Sequence, residues 1–270
     1  VFVGQEEMQL FIPEWWYIRE FLFQPGGFCA VAGQWIIQYY RQPMSAVVFH
    51  TVLLVGCGFM VYRILRCFSD KTYLLFLSLL PVLYLVKMSI HGEYLVDGTV
   101  GVVLMLLALS VSLKVRRAGS IAGYGIASTL FLCGLTGLLS VCYAFLYTLL
   151  ALLRYKTSRQ RLAASACLIP ALFIYLFSGW LEIPVPLSDG WMPEAYLEIQ
   201  RLPHYYMYRV WTFFTLSIVG VALFARFVPV IGEKSKWMDR VALVVCLITV
   251  LVSICLLYTS PSPRDISGSR

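Results

Sequence analysis

The sequence is short of charge. Only 13% of its 270 residues are Asp, Glu, Lys or Arg, about half the share found in soluble domains. That scarcity excludes an ordinary water-facing surface. No GxxxxGK[ST] and no GxGxxG is present, so neither common phosphate-cradling loop occurs. The linkers between apolar runs that face the cytoplasm are too short to hold a nucleotide-binding domain, which argues against ATP-driven pumps, kinases and a nucleotide partner. The eight Cys include no CxxC pair, and most sit inside apolar runs, where Cys behaves as a small hydrophobe. No cofactor motif is evident. Alternating strands of about 10 residues, the mark of a membrane barrel, are also missing.

What fills the chain is apolar: 60% of it. Runs long enough to approach a bilayer crossing recur throughout, as expected where the backbone must satisfy its own hydrogen bonds. The pattern predicts an all-α, polytopic membrane protein of about eight helices, at 44–63, 72–87, 99–113, 121–135, 138–153, 162–178, 208–229 and 241–257. An amphipathic segment, 1–43, precedes this domain of 44–254.

The net charge of +7 does not point to nucleic acid, because the cations are confined to linkers. Arg63, Arg66 and Lys71 form one group, and Lys114, Arg116 and Arg117 a second. Arg154, Lys156, Arg159 and Arg161 form a third, and Arg226, Lys234, Lys236 and Arg240 a fourth. The positive-inside rule places all four in the cytoplasm. An even number of crossings must then separate 114–117 from 154–161. The intervening apolar stretch, Ile121 to Leu153, is long for one span and tight for two. Cys-Gly-Leu-Thr-Gly, 133–137, supplies a turn, so two short helices are expected, with one long tilted helix as the alternative. Most carboxylates fall on the opposite, outer side.

Two helical pieces are expected before residue 43. In 6–24, Met8, Phe11, Trp15, Ile18 and Leu22 share a face opposite Glu6, Gln9, Tyr17 and Glu20. Trp15, Trp16 and Tyr17 suit a membrane interface. Pro25-Gly26-Gly27 breaks the chain, and Phe28 to Gln42 follows, with Gln34, Gln38 and Arg41 on one stripe. An interfacial hairpin on the outer leaflet is predicted, with a re-entrant pair as the alternative. Glu6-x-x-Gln9-Leu10-Phe11, Tyr17, Pro25-Gly26-Gly27, Gln34 and Gln38-Tyr39-Tyr40 resemble the opening of a Bacteroidota family of multi-pass membrane proteins of unknown function. The likeness departs at Glu7 and at Ile12-Pro13. It implies a bacterial inner-membrane protein and supplies no activity.

The last residues read differently. Cys255-Leu-Leu-Tyr-Thr-Ser-Pro-Ser-Pro-Arg-Asp265 resembles the translation of an adapter used in transposase-based sequencing libraries, and Gly268-Ser269-Arg270 fits its continuation. Residues 255–270 are therefore expected to be non-native. The opening Val1 likewise suggests a cut reading frame, with an extracytoplasmic N-terminal segment.

Three groups of residues are candidates for chemistry. Glu6 and Glu7 lie where membrane glycosyltransferases that use lipid-phosphate sugars carry a carboxylate, as base or metal partner. A helix N-terminus favours acids for a simpler reason, the dipole. His91, Glu93 and Asp97, with Lys87, crowd a loop at a membrane mouth and suit proton relay or head-group binding; a solvated loop is the plainer account. In the linker 180–211, Trp191, Glu194, Glu198, Arg201 and His204 suit a carbohydrate or lipid site, or simply an aromatic belt. No metal site is indicated, since no third ligand joins His91 and Glu93. The reading that follows is a glycosyltransferase-like enzyme of envelope glycan assembly working at the outer face. Membrane lipids and a lipid-linked sugar are its expected partners. A transporter or flippase, or a non-catalytic envelope scaffold, are the alternatives.

Overall fold

The computed structural model describes residues 11, 13–70, 72–89, 96–137, 139–177, 202–227 and 244. Among these, no strand occurs, and the architecture is all-α. Helices α1 (Trp15–Leu22) and α2 (Gly27–Ile37) lead through a 3-10 turn into α3 (Pro43–Leu65). Then come α4 (Tyr73–Leu77), α5 (Leu79–Ser89), α6 (Val96–Ser112), α7 (Ala118–Thr136) and α8 (Leu139–Arg154). Two short helices, α9 (Ser158–Ser165) and α10 (Leu168–Leu176), precede α11 (Leu202–Phe227).

Fewer helices are long enough to span a bilayer than the hydropathy pattern predicts. By length and composition, only Met44–Leu65 and Ala118–Thr136 qualify among the described residues, not about eight. Two of the shortfalls have a proline as their cause. Proline lacks an N–H and crowds the carbonyl four residues back. Pro81 follows the break at Ser78 that divides the run 72–87 into α4 and α5. Pro170 follows the break at Ala166 and Cys167 that divides α9 from α10. The expected span 241–257 lies outside the described residues, apart from Val244.

The stretch Ile121 to Leu153 is two helices. Gly137 reverses the chain between α7 and α8 with φ of +61°, a conformation costly for residues with a Cβ. Both basic linkers consequently sit at one end of the pair. Tyr155 Oη donates to the Val115 carbonyl at 2.7 Å, and Gln160 Nε2 donates to the Arg116 carbonyl at 2.7 Å.

Helix α6 touches α2, α3, α7 and α8. Its small and apolar residues leave little surface free: Val96, Gly98, Thr99, Gly101, Val102, Met105, Leu106 and Leu109 are all buried. Helix α11 closes the far side through Val210, Phe214, Ile218 and Ala222, one buried stripe at helical spacing. Its Phe213 ring stacks on Tyr84 of α5 at 4.0 Å.

The outward flanks are apolar as well. On α3, Met44, Val48, Val52, Val55 and Phe59 form a continuous stripe, each between 55% and 81% exposed.

Helices α1 and α2 form the hairpin expected at Pro25-Gly26-Gly27, but α2 does not lie on the outside of the bundle. Cys29, Ile36 and Ile37 share a core with Ala46, Val96 and Val100. Helix α2 is therefore part of the same packed body as α3 and α6. The polar stripe read on α2 is divided too: Gln38 is exposed, whereas Gln34 is buried and accepts a hydrogen bond from Tyr17 Oη at 3.2 Å.

Gly33 makes the α2–α6 approach possible. A Cβ there would lie 2.8 Å from the Asp97 nitrogen and 2.9 Å from its Cα. We expect Gly33→Ala to destabilise the purified protein by about 1–3 kcal/mol, the usual cost of overpacking. Gly123→Ala, at a position facing open space, should leave the thermal midpoint unchanged or higher. Equal midpoints for both variants would contradict the close packing.

Candidate functional site

The sequence around α6 opens Val96-Asp97-Gly98-Thr99, which places one carboxylate in the first turn of the most buried helix. Position 97 lies just ahead of the apolar run 99–113. The turn suits an acid, because unpaired N–H groups and the helix dipole favour negative charge there. Asp97 Oδ1 accepts a hydrogen bond from the Gly98 N–H at 2.6 Å.

Two small residues on α2 bring that helix against Asp97. Gly33 faces the Asp97 backbone, and Cys29, one turn earlier, faces Gly101, one turn later on α6. The two helices thus run antiparallel at close range, a small-residue contact of the kind that lets helix backbones meet. Gly101 is itself covered by Leu139 at the start of α8. Crowding of this sort leaves the half-buried carboxylate only partly open to water. Burial pushes the Asp97 carboxyl up to about 6, against the partial relief from Gly98 N–H. Cys29 is buried against Gly101 and serves as a packing thiol.

A second feature lies one turn earlier still, at the N-terminal end of α2, where two helix breaks meet. Gly26 has φ of +86° and donates its N–H to the Gly134 carbonyl at 3.1 Å. A Cβ on Gly26 would stand 3.3 Å from the Gly137 nitrogen. The C-terminal end of α7 therefore faces the N-terminal end of α2, and their orphan carbonyl and N–H pair with each other.

A third feature is a buried tyrosine cluster. Ser112 Oγ and Tyr143 Oη are 2.6 Å apart, and the Tyr143 and Tyr147 rings stack in parallel at 5.8 Å. Gly125 leaves the room that the Tyr147 ring occupies. The Tyr147 hydroxyl is buried beside that of Tyr155 without a hydrogen bond of good geometry. The sequence offered one sign of this cluster: Tyr143 and Tyr147 stand four apart on one helix face.

Of the candidate residues singled out from sequence, only Asp97 and Lys87, which is half-buried in the last turn of α5 rather than in a loop, have described side chains. Glu6, Glu7, His91, Glu93, Trp191, Glu194, Glu198 and Arg201 lie outside the described residues. His204 falls within α11. Among the described residues, no three His, Cys, Asp or Glu come together in a way that would hold a metal ion. What the site can do chemically is hold and release one proton near neutral pH, within a crevice made by small residues.

The raised carboxyl makes stability depend on pH. Folded Asp97 keeps its proton up to about pH 6, whereas an unfolded Asp loses it near 4. Its favourable contribution is complete below about pH 4 and is lost as pH rises through 6. Asp97→Asn stays neutral and keeps an oxygen for the Gly98 N–H. It should therefore be more stable than the parent above pH 6, by up to about 3 kcal/mol, and equal to it at pH 4. A pH series of thermal unfolding in detergent measures this; a difference that does not change with pH would contradict the burial of the charge.

No curated protein and no solved structure matches the chain. A family match covers residues 1–264, and so includes most of the stretch that reads as adapter-encoded. On that match, the chain belongs to the family of unknown function DUF6057.

Proposed function

We propose that this chain is a multi-pass protein of the bacterial inner membrane whose outer end works on a lipid-linked sugar, as a glycosyltransferase-like enzyme of envelope glycan assembly. The membrane part of this reading is supported by the exposed apolar stripe on α3, which would be an aggregation hazard in water. It is also supported by the gathering of two basic linkers at one end, the end that the positive-inside rule assigns to the cytoplasm. Asp97 sits at the other end of α6.

The single observation that carries the catalytic part is the place of Asp97, in the first turn of α6 and against Gly33 of α2, where burial raises its carboxyl to about 6. A group with that affinity is mostly ionised at neutral pH and is matched to taking a proton from a sugar hydroxyl. The donor's phosphate would lie at the same lipid–water boundary. In this reading Glu6 and Glu7 assist from the preceding segment. A second reading, transport or flipping of the same lipid, is favoured by the meeting of helix breaks at Gly26 and Gly137. Broken helices inside a bundle often mark translocation sites.

Cells carrying Asp97→Asn, or Glu6→Gln with Glu7→Gln, should lose the envelope glycan product and accumulate its lipid-linked precursor. Purified protein in detergent should still transfer sugar from that precursor to an acceptor, at a rate Asp97→Asn lowers by about 100-fold or more. Transfer absent in detergent but precursor trapped in cells would favour transport. Normal glycan in well-folded variants would leave neither reading standing.

A further inference from the structure

Between Asp97 and Glu182 the chain has no acidic residue, yet it carries Lys114, Arg116, Arg117, Arg154, Lys156, Arg159 and Arg161. None of these seven forms an ion pair among the described residues, where the one salt bridge joins Arg66 to Asp70. Arg154 buries its Nη1 without a hydrogen-bond partner. The fold then concentrates these cations. The bond from Gln160 to the Arg116 carbonyl ties the two linkers side by side.

An open groove of about 510 Å³ lies against this basic edge, between α8 and α9. Arg159 and Arg161 line it together with Ser158, Thr148, Leu152 and Leu162. Arg161 is fixed in place, because its Nε–H donates to the Tyr155 carbonyl at 2.8 Å. That bond leaves both terminal amines for another acceptor. Beside the guanidinium groups, Leu152 and Leu162 are exposed, at 45% and 75%. Cations next to bare leucines suit a ligand with a negative head and an apolar tail.

We infer that this groove is a binding site for an anionic phospholipid, with the phosphate on Arg159 and Arg161 and an acyl chain over Leu152 and Leu162. A guanidinium fork matches phosphate oxygens in pairs, and basic pockets at helix ends on the cytoplasmic side hold anionic lipid heads. A free phosphate would satisfy the arginines but leave the leucines uncovered. The site is independent of the outer-face chemistry proposed above and rests only on the membrane reading.

The test uses the full chain in detergent, titrated separately with phosphatidylglycerol, phosphatidylcholine and inorganic phosphate. Thermal midpoint and lipid retained in native mass spectrometry are the readouts. Phosphatidylglycerol should raise the midpoint and stay bound, while phosphatidylcholine and inorganic phosphate do neither. Arg159→Gln breaks no described bond within the protein, so it should fold normally and weaken phosphatidylglycerol binding about fivefold, the usual weight of one cation near an anionic lipid. Lys114→Gln, which removes an exposed charge from outside the groove, should leave binding unchanged. Equal effects of both lipids, an effect of phosphate as large as that of phosphatidylglycerol, or equal loss in both variants would overturn the proposal. Failure of the membrane reading shows separately, as a chain that stays soluble without detergent.

Discussion

The hydrogen bond from the Gly26 N–H to the Gly134 carbonyl is the joint on which the arrangement turns. Helix α8 has 16 residues, about 24 Å at 1.5 Å per residue, which is short of a hydrocarbon core about 30 Å thick. The α7–α8 hairpin therefore ends early, at Gly137. Helix α2 continues from that point, with its N-terminus set on the C-terminus of α7. Backbone polar groups that would be stranded at two helix ends satisfy each other. Glycine supplies the positive φ on both sides of this joint, and on the Gly26 side the close approach as well.

The joint has consequences for α6. With α2 held against it by Gly33, and α7 and α8 on its other flanks, α6 is enclosed along most of its length. Its one carboxylate is half-buried at the edge of that enclosure and binds a proton more tightly than a free Asp. At the opposite end of the same helix the chain has cations and no acids. One helix thus connects a half-buried carboxylate to an unbalanced positive edge. Each end carries a chemical preference of its own, for a proton at one and for a phosphate at the other.

Much of this was legible in the residues. The reversal at 133–137 followed from charge parity between two basic linkers and from glycine at the break. The hairpin at Pro25-Gly26-Gly27 followed from its turn chemistry. The number of full-length spans did not follow, because hydropathy averages across Pro81 and Pro170, where backbone sterics cut the helix. The burial of α2 was missed because Gln34 reads as a solvated residue, and its partner Tyr17 lies across a turn. Nothing local says that one glycine turn will meet another more than a hundred residues away. Asp97 stood among the candidates as one of a crowded loop; what sets it apart is Gly33 on another helix, a contact with no signature in its own segment.

The membrane reading proposed above requires the two ends of the helical bundle, the basic linkers 114–117 and 154–161 at one and the start of α3 beside Val96 at the other, to face opposite sides of a membrane. Cysteine labelling in intact cells tests it most directly. In a variant stripped of its eight Cys, single cysteines would replace Gln42, Lys114 and Arg159, all exposed. A membrane-impermeant maleimide should spare positions 114 and 159 until the cells are lysed, and should label position 42 no worse before lysis than after. Labelling of 114 and 159 in intact cells, or opposite behaviour of those two positions, would contradict the account.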